Sequence, residues 1–239
     1  MKRAMIGVLG GMGPVASAET YMQIIRTCQR NYGAVEDVDF PEVMIYNLPL
    51  EQFDCIGFQD NNAERVVGQL SAGIKKLETA GASIIIIDCN TVHCFYDRLQ
   101  ATTSAEILNL IDITAKYVRT KGMHKVGVLC SRTSRRLGLY TIALAELGIE
   151  NFDVTEQEQN AVDAAILAVM ADKVGYAECD AVNAVVKRMF ESGADAILLG
   201  CTEISFLLKE RVDENRYIDS QRLAIVSAIE KWHSNRSIL

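Results

Sequence analysis

Two segments of this chain repeat one pattern, and the repetition restricts the fold more than any other feature. Ile84-Ile85-Ile86-Ile87-Asp88-Cys89-Asn90-Thr91 and Ala196-Ile197-Leu198-Leu199-Gly200-Cys201-Thr202-Glu203 are each an apolar run of strand length that ends in Cys and polar residues. A Gly-Ala pair precedes each run, Gly81-Ala82 and Gly193-Ala194, and in both copies the Cys falls eight positions after the Gly. Further back, Leu70, Ile74 and Leu77 match Val182, Val186 and Met189, at the i, i+4, i+7 spacing of one helix face. Each copy reads as an amphipathic helix, a tight turn, a buried strand and a Cys at the strand's carboxyl end. A second landmark repeats in the same order. Gly7-Val8-Leu9 recurs as Gly127-Val128-Leu129, displaced by 120 positions where the Cys segments are displaced by 112. Two landmarks at nearly one offset imply two similar halves.

The elements between these landmarks alternate. Strands are expected at Met5–Leu9, Val43–Tyr46, Glu106–Leu110, Lys125–Leu129, Phe152–Val154 and Tyr217–Ser220, and helices at Val15–Arg30, Ala63–Ala80, Cys94–Leu99, up to Thr120, Ala161–Met170 and up to Trp232. Strands alternating with helices make parallel sheets covered on both faces. The fold class is therefore α/β, two pseudo-symmetric doubly wound parallel-sheet domains. The first takes residues 1–100 plus 216–239, because the last strand–helix pair is expected to return to it, and the second takes 101–215. The polar stretch from Leu48 to Asn62 has the length of a functional lid. Gly10-Gly11-Met12-Gly13-Pro14 joins the first strand to the first helix. Its glycines serve either a tight turn or an anion at the helix N-terminus, and the spacing is not that of a dinucleotide site.

Composition narrows the class of partner. A net charge of -7 and a pI near 5.1, with no basic stripe, exclude nucleic acid as the main partner. The apolar runs are strand-sized, so no membrane span is expected, and the chain enters a strand at once without a secretory signal. A cytoplasmic protein follows. Seven Cys in a reducing compartment are core residues or reactive thiols, not a disulfide framework. Cys89, His93 and Cys94 lack the second ligand pair that would complete a metal site, so no metal is expected.

Ligands of doubly wound sheets bind beyond the carboxyl ends of the strands. Thiols at two such ends, on opposite walls of one cleft, suit proton removal from one face of a carbon and return to the other. The thiolate form, from a free pKa of about 8.5, is favoured near a helix N-terminus. The carbanion-like transition state needs donors, and Asn90, Thr91 and Thr202 are of the right type.

These motifs make the chain similar to the aspartate/glutamate racemase family, the branch that works without pyridoxal phosphate. Gly10-Gly11-Met12-Gly13-Pro14, Cys89-Asn90-Thr91-Val92-His93 and Gly200-Cys201-Thr202-Glu203 carry the resemblance, which spans essentially the whole chain. It implies a homodimer with a small amino-acid substrate between the two domains, and neither cofactor nor metal. It makes Cys89 and Cys201 the acid/base pair, Cys89 acting on the D and Cys201 on the L enantiomer. Met12, Asn90 and Thr91 would line the first wall, with Ser131, Thr133, Ser134 and Thr202 on the second.

The chain also departs from that pattern. Archaeal-type aspartate racemases hold the side-chain carboxylate with an Arg in the loop after the second strand. Here Leu48 to Asn62 has no Arg or Lys, and carries Glu51, Asp54 and Asp60. The Lys of those relatives aligns with Ala171, with Lys173 nearby. Arg132, Arg135 and Arg136 are either a second carboxylate site or a solvated helix face. The substrate is open between acidic amino acids and a broader set. Two other classes remain: a maleate-isomerase-like or decarboxylase-like enzyme on the same scaffold, and a two-lobed binding protein indifferent to Cys→Ser.

Overall fold

Alternation along the repeated strands explains why the chain needs helices on both sides of its sheets. Leu9, Ile85 and Ile87 join one buried cluster with Leu70, Ile74 and Leu77, while Ile6, Val8, Ile84 and Ile86, equally buried, face the other way. In the second copy Leu129, Ile197 and Leu199 pack with Val182, Val186 and Met189, and Val126, Ala196 and Leu198 take the opposite face. Burial on both faces at about 1.5–3 kcal/mol per large side chain is what drives each sheet to be covered twice.

A computed structural model describes residues 4–50, 62–208 and 216–236. Among these, the chain forms β1 (Met5–Gly10), α1 (Pro14–Tyr32), β2 (Val43–Asn47), α2 (Asn62–Ala80), β3 (Ala82–Ile87), α3 (Tyr96–Gln100), β4 (Glu106–Ile107) and α4 (Leu110–Thr120). It continues with β5 (Lys125–Leu129), α5 (Arg132–Arg136), α6 (Leu139–Glu146), β6 (Glu150–Phe152), α7 (Glu156–Met170), α8 (Tyr176–Glu191), β7 (Ala196–Leu199), α9 (Thr202–Leu208), β8 (Tyr217–Asp219) and α10 (Ser220–Arg236). Two compact units result, residues 1–109 with 221–239, and residues 110–220. Each holds a four-stranded sheet, in the order β2-β1-β3-β4 and β6-β5-β7-β8. Every strand pair is parallel. The two α/β domains thus share one strand order. No described helix is long and apolar enough to cross a membrane.

The matched glycines have matched reasons. Gly81 and Gly193 turn from helix into strand at φ 112° and 88°, a backbone region that side chains disfavour. A Cβ on Gly7 would come within 2.9 Å of Ala82 Cβ and 3.3 Å of Leu77 Cβ; one on Gly127 would meet the Met189 sulfur and come within 2.9 Å of Ile197 Cδ1. The glycine of each Gly-Val-Leu therefore lets the helix that leads into the Cys strand, α2 or α8, lie close on the central strand.

Several expected boundaries move. The strand expected over Glu106–Leu110 stops at Ile107, and Leu110 opens α4, whose Leu110, Ile111, Thr114, Ala115 and Val118 make one buried helical face. The strand expected at Phe152–Val154 lies at Glu150–Phe152, where it pairs with Lys125–Gly127. Asp153 turns out of the ladder to bind Arg135. Helix α7 begins at Glu156 rather than Ala161, because Thr155 and Glu158 form a reciprocal capping box. The segment after Cys89 starts as a 3-10 turn, Thr91–Phe95, before α3. Strand β8 pairs with β7 in the second sheet, and only α10 counts with the first unit. The expected lid falls largely on residues 51–61, outside the described residues.

Candidate active site

In the first unit, β1 and β3 are neighbours and end together: Leu9 is in register with Ile87, and the Asp88 N–H bonds the Leu9 carbonyl at 2.9 Å. Met12, from the turn after β1, and Cys89, from the end of β3, both pack against the α2-side core. Asn90 is buried and Thr91 half-buried just beyond. Gly11 takes φ 93° against the backbone of Leu48, and its N–H is already accepted by the Ser17 hydroxyl at 3.0 Å. Gly11 is thus explained by close packing. His93 is buried, with Nδ1 2.9 Å from the Cys89 carbonyl oxygen and Nε2 3.3 Å from that of Leu108. Burial pushes its pKa below the usual value, and a neutral ring donates from one nitrogen only. The imidazole holds the backbone of the Cys turn.

In the second unit, β5 and β7 end side by side in the same way, Leu129 in register with Leu199. Cys201 follows β7, and its Sγ donates to Glu203 Oε2 at 3.1 Å. The Thr202 hydroxyl donates to the same oxygen at 2.9 Å. Glu203 is buried, so its carboxylate serves the thiol and the hydroxyl. Ser131, after β5, caps α5 by accepting the Ser134 N–H at 3.3 Å, and its hydroxyl donates to that of Ser134 at 3.1 Å. Thr133 is half-exposed on the same short helix. Ser131, Thr133, Ser134, Cys201 and Thr202 therefore lie at one carboxyl edge, and Met12, Cys89, Asn90 and Thr91 at the other.

The match to known proteins follows this frame. The model of the Asp/Glu/hydantoin racemase family covers residues 9–228. The chain belongs to that family. It is 27% identical to the broad specificity amino-acid racemase RacX of Bacillus subtilis, over 98% of this chain and 100% of that one. The aspartate racemase of Picrophilus torridus superposes with a TM-score of 0.80 at 26% identity, over 96% of this chain and 94% of that one. An aspartate racemase homologue from Pyrococcus horikoshii shares the fold at a TM-score of 0.76 and 24% identity, over 96% and 99%. As an Asp/Glu/hydantoin racemase family member, the protein is an isomerase of the racemase kind.

Within this racemase the arginines of α5 are already engaged. Arg132 pairs with Asp163 at 2.8 Å and Glu156 at 2.6 Å, and donates to Asn160. Arg135 pairs with Asp153 at 2.9 Å and Glu156 at 2.6 Å. These guanidiniums join α5 to α7; of the three, only Arg136 is exposed. Cys130 and Cys28 are buried, and burial pushes their thiols up to about 12 and about 11. Both are held in the unreactive thiol form. Three supports of the site escaped the sequence reading: Asp88, bound by Thr20 and Gln221, Tyr140 against Gly200, and Ser205, whose hydroxyl lies 3.5 Å from the Cys201 carbonyl. Asp88 carried a signal, as a carboxylate closing a run of isoleucines. The others did not.

Proposed function

We propose that the protein is a cofactor-independent amino-acid racemase in which Cys89 and Cys201 exchange the α-proton of the substrate. The observation that carries this is the thiol made twice, at the carboxyl end of the second central strand of each unit and packed on the matching core in both. In one direction the thiolate of one Cys takes the α-proton and becomes a thiol. The electron pair is delocalised into the substrate carboxylate, and the other thiol delivers its proton to the opposite face and becomes a thiolate. The enantiomer is inverted and the two sulfurs have exchanged protonation states, so the reverse reaction uses them in swapped roles. Glu203 supports the role of Cys201 by orienting it, its carboxylate oxygen accepting the thiol hydrogen bond at 3.1 Å. Met12, Asn90, Thr91, Ser131, Thr133, Ser134 and Thr202 supply the walls, with Asn90, Thr91, Thr133 and Ser134 the donors for the developing negative charge, since the hydroxyl protons of Ser131 and Thr202 are already given to Ser134 and Glu203.

The substrate range we propose is broader than the acidic amino acids. Arg132 and Arg135 are neutralised by Asp153, Glu156 and Asp163, which leaves them poorly disposed to select a second carboxylate. The broad specificity of RacX agrees with this range. We further propose a homodimer in the cytoplasm. Exposed Tyr21 and Met22 on α1 and Met44 and Ile45 on the edge strand β2 support an association surface, which sedimentation would test.

The deciding experiment is α-proton exchange in deuterated water, followed by NMR on single L- and D-amino acids without added cofactor. Wild type, Cys89→Ser and Cys201→Ser are run side by side. Deuterium entry with inversion, lost in both variants, is expected. No exchange on any amino acid would overturn the proposal in favour of an isomerase, a decarboxylase or a binder.

A further inference from the structure

The residues immediately before the two thiols, Asp88 and Gly200, stand at matched places and face the side of the sheet opposite the Cys. Two consecutive residues at the start of α10 reach these places, Gln221 to Asp88 itself and Ser220 to the Leu199 carbonyl just before Gly200. In the second unit the Ser220 hydroxyl donates to the Leu199 carbonyl at 2.9 Å. Ser220 also bonds the phenol of the buried Tyr140, whose other partner is Thr114. The ring of Tyr140 lies flush on Gly200, where a Cβ would come within 2.6 Å of it. Ser220 thus fixes the strand end leading into Cys201 both directly and through Tyr140.

In the first unit the Gln221 amide donates to Asp88 Oδ1 and to Thr20 Oγ1. The Thr20 hydroxyl lies 3.0 Å from Asp88 Oδ2. Asp88 and Thr20 have no exposed surface and Gln221 only 8%. This triangle sets two neutral donors, Thr20 and Gln221, against a buried carboxylate. Such a group is costly to leave without its donors, so its place is narrowly defined. Asp88 is peptide-bonded to Cys89, so holding one narrows the places open to the other.

We propose that Ser220 and Gln221 are positioning residues for the two thiols, Ser220 for Cys201 and Gln221 for Cys89. Ser220 is the last residue of the second unit and Gln221 the first of the returning part of the first. A single peptide therefore carries one anchor for each reacting group. Neither residue touches a reacting atom; Gln221 acts through Asp88, in front of Cys89, and Ser220 through Leu199 and Tyr140, which hold the strand end in front of Cys201. The proposal rests on Cys89 and Cys201 being the reacting groups, and its test separates the two questions.

The variants are Gln221→Leu, which keeps the shape and removes both donors, and Ser220→Ala. For each, the iodoacetamide alkylation rates of Cys89 and Cys201 are read by peptide mass mapping, alongside kcat and KM for α-proton exchange from each enantiomer. Gln221→Leu should change the alkylation of Cys89 by roughly threefold or more and leave Cys201 unmoved, and Ser220→Ala should do the reverse. In both, kcat should fall roughly 10- to 100-fold with KM changing less than about threefold, as for a misplaced reacting group. Adding Asp88→Asn to Gln221→Leu removes the charge that required the donors and should restore much of the loss. That double variant also serves if Gln221→Leu alone does not fold. Equal shifts at both thiols in each variant, or unchanged thiols and wild-type kcat in folded protein, would overturn the proposal. Separate responses of the two thiols with no exchange on any amino acid would support the positioning role and remove the racemase reading.

Discussion

The two units share a strand order, a glycine turn and a thiol position, yet they surround the thiol differently. Before the Cys the first unit has a buried carboxylate, Asp88, and the second has Gly200 under an aromatic ring. Four residues after it, His93 and Ser205 both reach the carbonyl of the Cys, at 2.9 Å and 3.5 Å. Two residues after it, Thr91 opens a 3-10 turn where Glu203 accepts the thiol. The frame needs only a strand end, a backbone grip and a short helical turn. The chemistry around it was free to diverge, so two thiols on one scaffold need not share a proton affinity.

Removing either thiol should have the largest effect. Cys89→Ser and Cys201→Ser should each cut racemisation roughly 100- to 10,000-fold, and the double variant should be little worse than either, because the pair acts as a unit. A steady-state assay of both enantiomers checks this, and a large residual rate in one single variant would break the equivalence of the units. Next in size is the contrast among thiols. With Cys130 pushed up to about 12 and Cys28 to about 11 by burial, both should react with iodoacetamide at pH 8 at least about 100-fold more slowly than Cys89 and Cys201. Peptide mapping over time reads the order.

The matched glycines allow a sharper comparison. Gly7→Ala presses on two Cβ atoms, whereas Gly127→Ala presses mainly on the movable ends of Met189 and Ile197. Urea unfolding should show a loss of about 2–3 kcal/mol for the first and about 1 kcal/mol for the second. His93 sets a pH contrast with Ser205. Its folded pKa lies below the unfolded value of about 6.5, so nothing is lost above that pH. As pH falls below it, the unfolded chain takes up a proton that the native chain refuses, and stability drops by on the order of 1 kcal/mol by pH 5. The part of the Tm decline between pH 7 and pH 5 due to this group should vanish in His93→Gln, and Ser205→Ala should leave the decline intact. Smallest is Thr155→Ala, which removes the cap of α7 and should cost about 1 kcal/mol.

The parallel-sheet architecture was legible because apolar runs and helical faces repeat at fixed offsets, and burial on both faces needs such runs. Boundaries were less legible where two elements abut. Ile107-Leu108 and Leu110-Ile111 look like one apolar stretch, and only pairing with β3 and the buried face of α4 divides them. The thiols stood out through their repetition. Gln221 did not, because its partners Thr20 and Asp88 are far away in sequence and a lone Gln at a helix start carries no pattern. The loop arginines were ambiguous for a similar reason: their carboxylate partners lie 18 to 31 residues further on.

The second unit is one continuous stretch set inside the first, and this imposes an order on synthesis. By the time residue 220 is made the second unit is whole, while the first still lacks α10. At roughly 5–20 residues per second, the gap between residues 109 and 221 lasts on the order of 5–20 s. Throughout that interval the places later taken by Ala224, Ile225, Ala228, Ile229 and Trp232 stay open, and Asp88 waits for its amide. The nascent chain therefore has all of its later-made unit in hand before the earlier-made one is complete, and the first unit stays unsealed until α10 is released.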